Sequence, residues 1–143
     1  MSDQQRKIYQ TDADRYQALV SREDHQGNII KALEEIVNPD DLSILDLGAG
    51  TGRLTMMLAP RAKSIRAFDA SAEMLRVCRD RLVTSGLSNW AVDIADHRQL
   101  PVESHSVDLV VSGWSVAYLY VWHPETWRAE LEKWLDEINK VIV

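Results

Sequence analysis

Apolar positions follow two different rhythms along the chain. From Asp12 they recur at helical spacing, with Tyr16, Leu19 and Val20 on one side. Ser21 is a suitable N-cap for a second helix, with Glu23 and Asp24 in its first turn. Its stripe is Ile29, Ile30, Leu33, Ile36 and Val37, and the turn residues Asn38-Pro39-Asp40-Asp41 end it. Short apolar runs then alternate with amphipathic stretches. Ser43 to Leu47 reads as a buried strand, Arg53 to Ala59 as a helix stopped by Pro60, and Ser64 to Phe68 as a second strand ending at Asp69. Ser71 caps a helix to about Val83 whose inner face is Met74, Leu75, Val77, Cys78 and Leu82, and Gly86 closes it. Trp90 to Ala95 and Val107 to Ser112 are the third and fourth strands. Pro124 opens a last helix to about Asn139, with Trp127, Leu131, Trp134, Leu135 and Ile138 facing inward.

Strands alternating with helices build a parallel sheet covered on both faces, so the fold class is α/β and Rossmann-like. Residues 1–40 read as an N-terminal helical cap and 41–143 as the sheet domain, with residues 1–10 polar and loose. A length of 143 residues sets the scale at one domain. The formal net charge of −6 argues against nucleic acid as a partner. Arg76, Arg79 and Arg81 share their helix with Glu73 and Asp80, which reads as a solvated face. No apolar run approaches the roughly 20 residues of a membrane span, so no membrane partner is expected. The polar N-terminus lacks a signal-peptide core, and the single cysteine, Cys78, fits a reducing compartment, so the expected location is cytoplasmic. No metal site is expected.

The densest chemistry is Ile44-Leu45-Asp46-Leu47-Gly48-Ala49-Gly50-Thr51-Gly52, a buried strand entering a glycine-rich turn that opens a helix. Glycines let a ligand approach the backbone, and ligands of open parallel sheets lie beyond the carboxyl ends of the strands. A dinucleotide fingerprint is G-x-G-x-x-G, but here the spacing is G-x-G-x-G and Arg53 stands where the third glycine belongs. No P-loop signature is present. Asp46, just before the first glycine, repels a pyrophosphate and favours a cationic group, such as the ammonium and sulfonium of S-adenosylmethionine (SAM). Spacing and Asp46 thus count against the competing reading, a nicotinamide-dependent oxidoreductase.

Asp46-Leu47-Gly48-Ala49-Gly50-Thr51-Gly52 is similar to motif I of class I SAM-dependent methyltransferases. Phe68-Asp69-Ala70-Ser71-Ala72-Glu73-Met74-Leu75 resembles that family's D-x-S-x-x-M-L stretch. Ala95-Asp96-His97-Arg98-Gln99-Leu100-Pro101 resembles its third-strand D-x-x-x-L-P motif, and Val107-Asp108-Leu109-Val110-Val111-Ser112 its fourth strand. The resemblance runs from about residue 10 to 143. It implies strand order 3-2-1-4 and SAM as the cofactor. It also implies a cofactor site of Asp46, Gly48, Ala49, Gly50, Thr51, Gly52, Asp69, Ala70, Met74, Asp96, His97 and Ser112. Asp69 is suited to grip a ribose diol with both oxygens. In the family the Asp96 position accepts from the adenine exocyclic amine and the backbone of the next residue, His97, touches the ring. Asp93 is the weaker candidate because strand alternation points it elsewhere, and Asp108 reads as structural. Tyr16 and Arg22 fall in the helices that cover the SAM site in the family.

Methyl transfer from a sulfonium is an in-line displacement that needs mainly alignment. The resemblance places the acceptor near Ser112-Gly113-Trp114-Ser115, which is not the N-P-P-[YFW] motif of amide and adenine amine methyltransferases. A small-molecule acceptor is expected. Trp114, Tyr118, Tyr120, Trp122 and Trp127 can line an acceptor pocket, although ordinary packing is the commoner use of such residues. His123 is a candidate base ahead of His97 and His105, but a lone histidine is more often a surface or capping residue, so no catalytic residue is assigned. The family's sheet resembles seven strands ordered 3-2-1-4-5-7-6, and this chain supplies strands 1 to 4 and the following helix. Asn139 to Val143 reads as the approach to a fifth strand. The fourth strand is therefore expected to be an apolar edge that invites self-association or a partner. The alternative function is a SAM-binding module, or half-enzyme, without independent catalysis.

Overall fold

The computed structural model describes Lys7 and residues 12–143. The stretch expected to be loose, residues 1–10, lies outside the described residues except for Lys7. The elements are α1 (Ala13–Val20), α2 (Asn28–Ile36), β1 (Ser43–Leu47), α3 (Arg53–Leu58), β2 (Ser64–Asp69) and α4 (Ala72–Ser85). They continue as β3 (Trp90–Ile94), β4 (Leu109–Val111), α5 (Ala117–Trp122) and α6 (Trp127–Val141). The strands form one parallel sheet in the order β3-β2-β1-β4, as the sequence predicts.

Strand alternation sorts the core onto the two faces of the sheet. Ile44, Ile65, Ala67 and Val111 pack with Leu58 of α3 and Leu75, Cys78 and Leu82 of α4, joined by the half-buried Ile30 and Leu33 of α2. Leu45, Leu47 and Phe68 face the other way, onto Leu100, Val107, Trp134 and Val141 under α6. Each fully buried large side chain contributes about 1.5–3 kcal/mol. The whole inner face foreseen for α4, from Met74 to Leu82, is buried. Ser71 caps α4 by accepting from the Met74 amide, and Gly86 ends it at φ 74°.

The second helix starts later than its sequence suggests. Ser21 is the C-cap of α1, its amide donating to the Gln17 carbonyl, while the Arg22 amide donates to the Leu19 carbonyl. The carboxylate of Asp24 accepts from the amides of Asn28 and Ile29, and Gly27 takes the left-handed N-cap at φ 65°. A charged acceptor and a glycine together outcompete the serine. The stripe of α2 is also wider than the face that is covered, Ile36 being 84% exposed, and so is that of α1, where Leu19 is 65% exposed.

β4 is shorter than expected because its first residues take other partners. Asp108 donates its amide to the Ser43 carbonyl and accepts from the Ser43 amide with its carboxylate at 2.8 Å, a structural role. Val107 makes a parallel bridge to Ile142. Its amide donates to Val141 O, and its carbonyl accepts from the Val143 amide. Ile142 thus borders the beginning of the fourth strand, whereas Asn139 to Val141, expected as the approach to a fifth strand, form the end of α6. From Leu109 to Val111 the only strand partner among the described residues is β1. α6 packs through Trp134, Leu131 and Ile138, but Leu135, expected inward, is 46% exposed. α5, with the sequence AYLYVW, has no fully buried residue.

Candidate functional site

β1, β2 and β3 deliver their chemistry at one end of the sheet. Gly48 and Ala49 both donate their amides to Phe68 O, at 2.9 and 3.0 Å, so the turn after β1 is tied to β2. Gly50 N donates to one oxygen of Asp69 at 2.9 Å, and Ser71 N to the other at 2.8 Å. Asp69 is 3% exposed. Each of its oxygens thus holds one backbone donor.

The three glycines answer three different constraints. A Cβ on Gly48 lies 2.2 Å from Ser115 Cβ, and one on Gly52 lies 2.6 Å from Cys78 Sγ. Both positions are set by packing. A Cβ on Gly50 meets nothing within 4 Å, so this backbone faces open space.

Two adjoining cavities lie over the loop, sharing Gly48, Ser115 and Tyr118 as their common wall. The first, about 220 Å³, is floored by Asp46 and residues 48–51 and covered by Tyr16, Val20 and Glu23. The second, about 330 Å³, is lined by Asp69, Ala70, Asp96, His97 and Arg98, with Leu119, Trp122, His123 and Trp134 opposite. Of the predicted site residues, Asp46, Gly48, Ala49, Gly50 and Thr51 line the first cavity, and Gly48, Asp69, Ala70, Asp96 and His97 the second. Gly52 lines neither. Met74 is fully buried with Ala13, Val77 and the ring of Tyr16, and it lines neither cavity because α4 turns it under α1. Ser112 also lies off both cavities, its hydroxyl paired with that of Ser115 at 2.5 Å. Arg22 is exposed and lines neither cavity.

Asp46 is 1% exposed and accepts from the Thr55 hydroxyl at 2.6 Å. Burial, with the nearby Asp69 charge adding to it, pushes its carboxyl up to about 6 against the opposing pull of Thr55. Asp96 is the opposite case. Its hydrogen bonds from Arg98 hold the carboxyl down at about 2. His97 stacks on Trp134 at a ring distance of 6.2 Å, and burial lowers its basicity. Burial raises the Tyr16 hydroxyl, with Tyr118 adding to the effect. The Asp93 carboxylate is half exposed and pairs with Arg66.

Several contacts around the two cavities escaped the sequence reading. Ser115 donates to Leu47 O at 3.1 Å and seats the segment after β4 against Gly48. Gln17 accepts from Thr51 Oγ1 at 2.5 Å and from Arg81, which also donates to Thr51 O, tying α1 to the glycine loop and α4. Arg53 pairs with Glu23 at 2.5 Å and stacks on Trp114 at 4.5 Å. Trp114 holds φ at 63°, an unusual conformation for a bulky residue. A usable signal was the Ser112-Gly113 break right after an apolar strand; the α1 contacts carried none. Among the described residues no group of three or more His, Cys, Asp or Glu is placed to hold a metal ion. No helix among them is long and apolar enough to cross a membrane.

The strand order reverses between β1 and β4, and open parallel sheets bind ligands at such a reversal. The cavities lie there, at the place where Rossmann-like domains take their ligands. Within that class it belongs to the methyltransferase domain family, which matches residues 44–142. It is 32% identical over 94 residues to phosphoethanolamine N-methyltransferase 1 of Caenorhabditis elegans, covering 66% of this chain and 19% of that protein. It is 37% identical over 73 residues to an uncharacterized methyltransferase of Mycobacterium tuberculosis, covering 50% and 28%. The chain thus spans under a third of the length of these curated relatives. A putative SAM-dependent methyltransferase from Methanococcus maripaludis shares the fold with a TM-score of 0.76 and 23% identity, over 99% of this chain and 63% of that one. A SAM-dependent methyltransferase from Clostridium acetobutylicum superposes with a TM-score of 0.69 at 25% identity, over 95% and 54%.

Proposed function

We propose that the two cavities hold SAM and that the chain serves methyl transfer to a small-molecule acceptor. The observation that carries this reading is the first cavity: a buried acid, Asp46, beneath a glycine loop whose Gly50 opens onto free space. An acid in that place suits an ammonium, and an open backbone suits close approach by a ligand. In this reading Asp46 and residues 48–51 hold the methionine end. Asp69 takes the ribose hydroxyls at the second cavity, and Asp96 and the His97 backbone take the adenine. When bound, SAM supplies a methyl group already activated on a sulfonium. The chain's own residues align it and exclude water. The common wall of Gly48, Ser115 and Tyr118 stands between the two proposed halves, so Tyr118 borders the transfer point. A buried free thiol at Cys78 fits the cytoplasmic assignment.

Calorimetric titration with SAM, S-adenosylhomocysteine and NADH tests the reading, with Gly50→Asn as the control. Asparagine tolerates positive φ, and its Cβ meets no atom, so the fold persists while the ligand's approach is obstructed. Micromolar binding of both adenosyl ligands, lost in the variant, with no NADH binding, is the expected result. NADH binding with no SAM binding overturns it.

The outer side of Leu109–Val111, which has no strand partner among the described residues, fits a second reading, a SAM-binding module or half-enzyme without independent catalysis. Comparing binding with methyl transfer to a panel of small acceptors separates the two. The outer side of Leu109–Val111 and the exposed aromatics of α5 are the surface through which we expect self-association, measurable by sedimentation across concentrations.

A further inference from the structure

Asp96 does not stand alone at the second cavity. Its Oδ1 accepts from the Arg98 amide at 2.8 Å and from Arg98 Nε at 2.9 Å, and its Oδ2 accepts from a terminal Arg98 nitrogen at 2.6 Å. A carboxylate oxygen has two lone pairs, so Oδ1 is saturated and Oδ2 keeps one acceptor position. The other terminal nitrogen of Arg98 donates to Glu130 Oε2 on α6 at 2.6 Å. Glu130 is 9% exposed and is also bound by Lys133. The guanidinium is thus gripped on both sides, and a planar fork held this way fixes the plane of the carboxylate it binds. Arg98 and Asp96 line the same cavity wall.

We propose that Arg98 is a positioning residue that turns Asp96 into a fixed, ionised, single-acceptor reader of the purine edge, selecting a 6-amino purine over a 6-oxo purine. The inference rests on the SAM reading above. A fixed acceptor rewards an N–H donor, whereas a 6-oxo group presents lone pairs to it. A site built around one polar partner rejects the analogue that cannot satisfy it. Without Arg98 the side chain of Asp96, already 51% exposed, is free to rotate toward water, and the mismatch is then relieved. Lysine cannot replace the fork, because an ammonium does not engage both oxygens in one plane.

The test measures a ratio of affinities, S-adenosylhomocysteine over its deaminated counterpart S-inosylhomocysteine, in the same protein. The two ligands differ only at the purine 6-position and at the adjoining N1, which carries a proton in the 6-oxo form. A change in folded fraction cancels in the ratio, and the N1 difference is common to the wild type and the Arg98 variants. The wild-type chain is expected to prefer the adenosyl ligand by about tenfold or more, in line with one well-placed hydrogen bond. Arg98→Ala and Arg98→Lys are expected to reduce that preference at least fivefold, and Glu130→Gln, which frees one end of the fork, to reduce it less. If Arg98→Ala does not fold, Arg98→Gln supplies the comparison. An unchanged ratio in a folded Arg98 variant, with both ligands weakened equally, makes Arg98 a strut between the β3 loop and α6 and overturns the inference. Failure of the wild-type chain to bind either ligand is the separate failure of the SAM reading itself.

Discussion

Asp46 stabilises the fold and burdens it at once. It sits 1% exposed, bound by the hydroxyl and the backbone of Thr55, with its carboxyl pushed up to about 6. The folded chain therefore holds the proton more tightly than the unfolded chain, where the carboxyl titrates at 3.8. Stability falls as pH rises from about 4 through about 6, by roughly 3 kcal/mol in total. Asp46→Asn is expected to raise the melting temperature above pH ~7, leave it nearly unchanged below pH ~4, and flatten the profile between. An unchanged pH profile in the variant means that another group sets it. Gly48 makes a sharper prediction. At φ 74°, with Ser115 Cβ 2.2 Å from any Cβ placed there, Gly48→Ala combines backbone strain with a collision. The strain alone is about 1–2 kcal/mol. Denaturant unfolding should show a larger loss for Gly48→Ala than for Gly50→Ala, where strain acts without a collision.

Elements differ in how plainly the chain announces them. α4 was readable end to end, because its capping serine, its buried stripe and its closing glycine all agree. α2 was not, because its start depends on a carboxylate reaching forward from Asp24 at φ 51°, a local geometry that no periodicity reveals. Its N-cap glycine contributes no side-chain hydrogen bond. Asp24→Ala is therefore expected to destabilise the chain by about 1 kcal/mol and to raise amide exchange in the first turn of α2. Ser21→Ala is expected to leave that exchange unchanged. α5 was invisible for a different reason: a run of aromatic and aliphatic residues with no polar face has no period to detect. Site residues followed the same division. Asp46, Asp69 and Gly50 were legible because strand ends and a glycine loop fix where they point. Met74, expected at the site, lines neither cavity, because motif position says nothing of its burial under Ala13 and Tyr16. The Arg98 fork on Asp96 depends on a loop whose shape is set by α6, far along the chain.

At the scale of the whole molecule, the cleft exists only when five parts of the chain meet. Strand ends from β1, β2 and β3 supply the acids, the segment after β4 supplies the wall, and α1 is held over the loop by Gln17, Thr51 and Arg81. The unfolded chain has no such site, so a ligand of the cleft stabilises the fold by mass action, about 2.7 kcal/mol at a hundredfold excess over Kd. For a domain of this size that is a rise of about 8–10 °C in melting temperature. The pH dependence of that rise is the more telling quantity. An ammonium bound at Asp46 needs the carboxylate, and burial holds that carboxyl protonated below about 6. Affinity for SAM should then fall as pH drops through about 6, and the rise at pH ~5 should be well below that at pH ~7.5. The free chain behaves in the opposite sense, losing stability as Asp46 ionises. Ligand and pH are thus coupled through one buried acid: mildly acidic buffer favours the empty fold and neutral buffer the loaded one. Thermal melts with and without S-adenosylhomocysteine, across pH and in Asp46→Asn, read both slopes. A ligand-induced rise that is the same at both pH values removes Asp46 from the ammonium's site and moves the positive end of the ligand elsewhere.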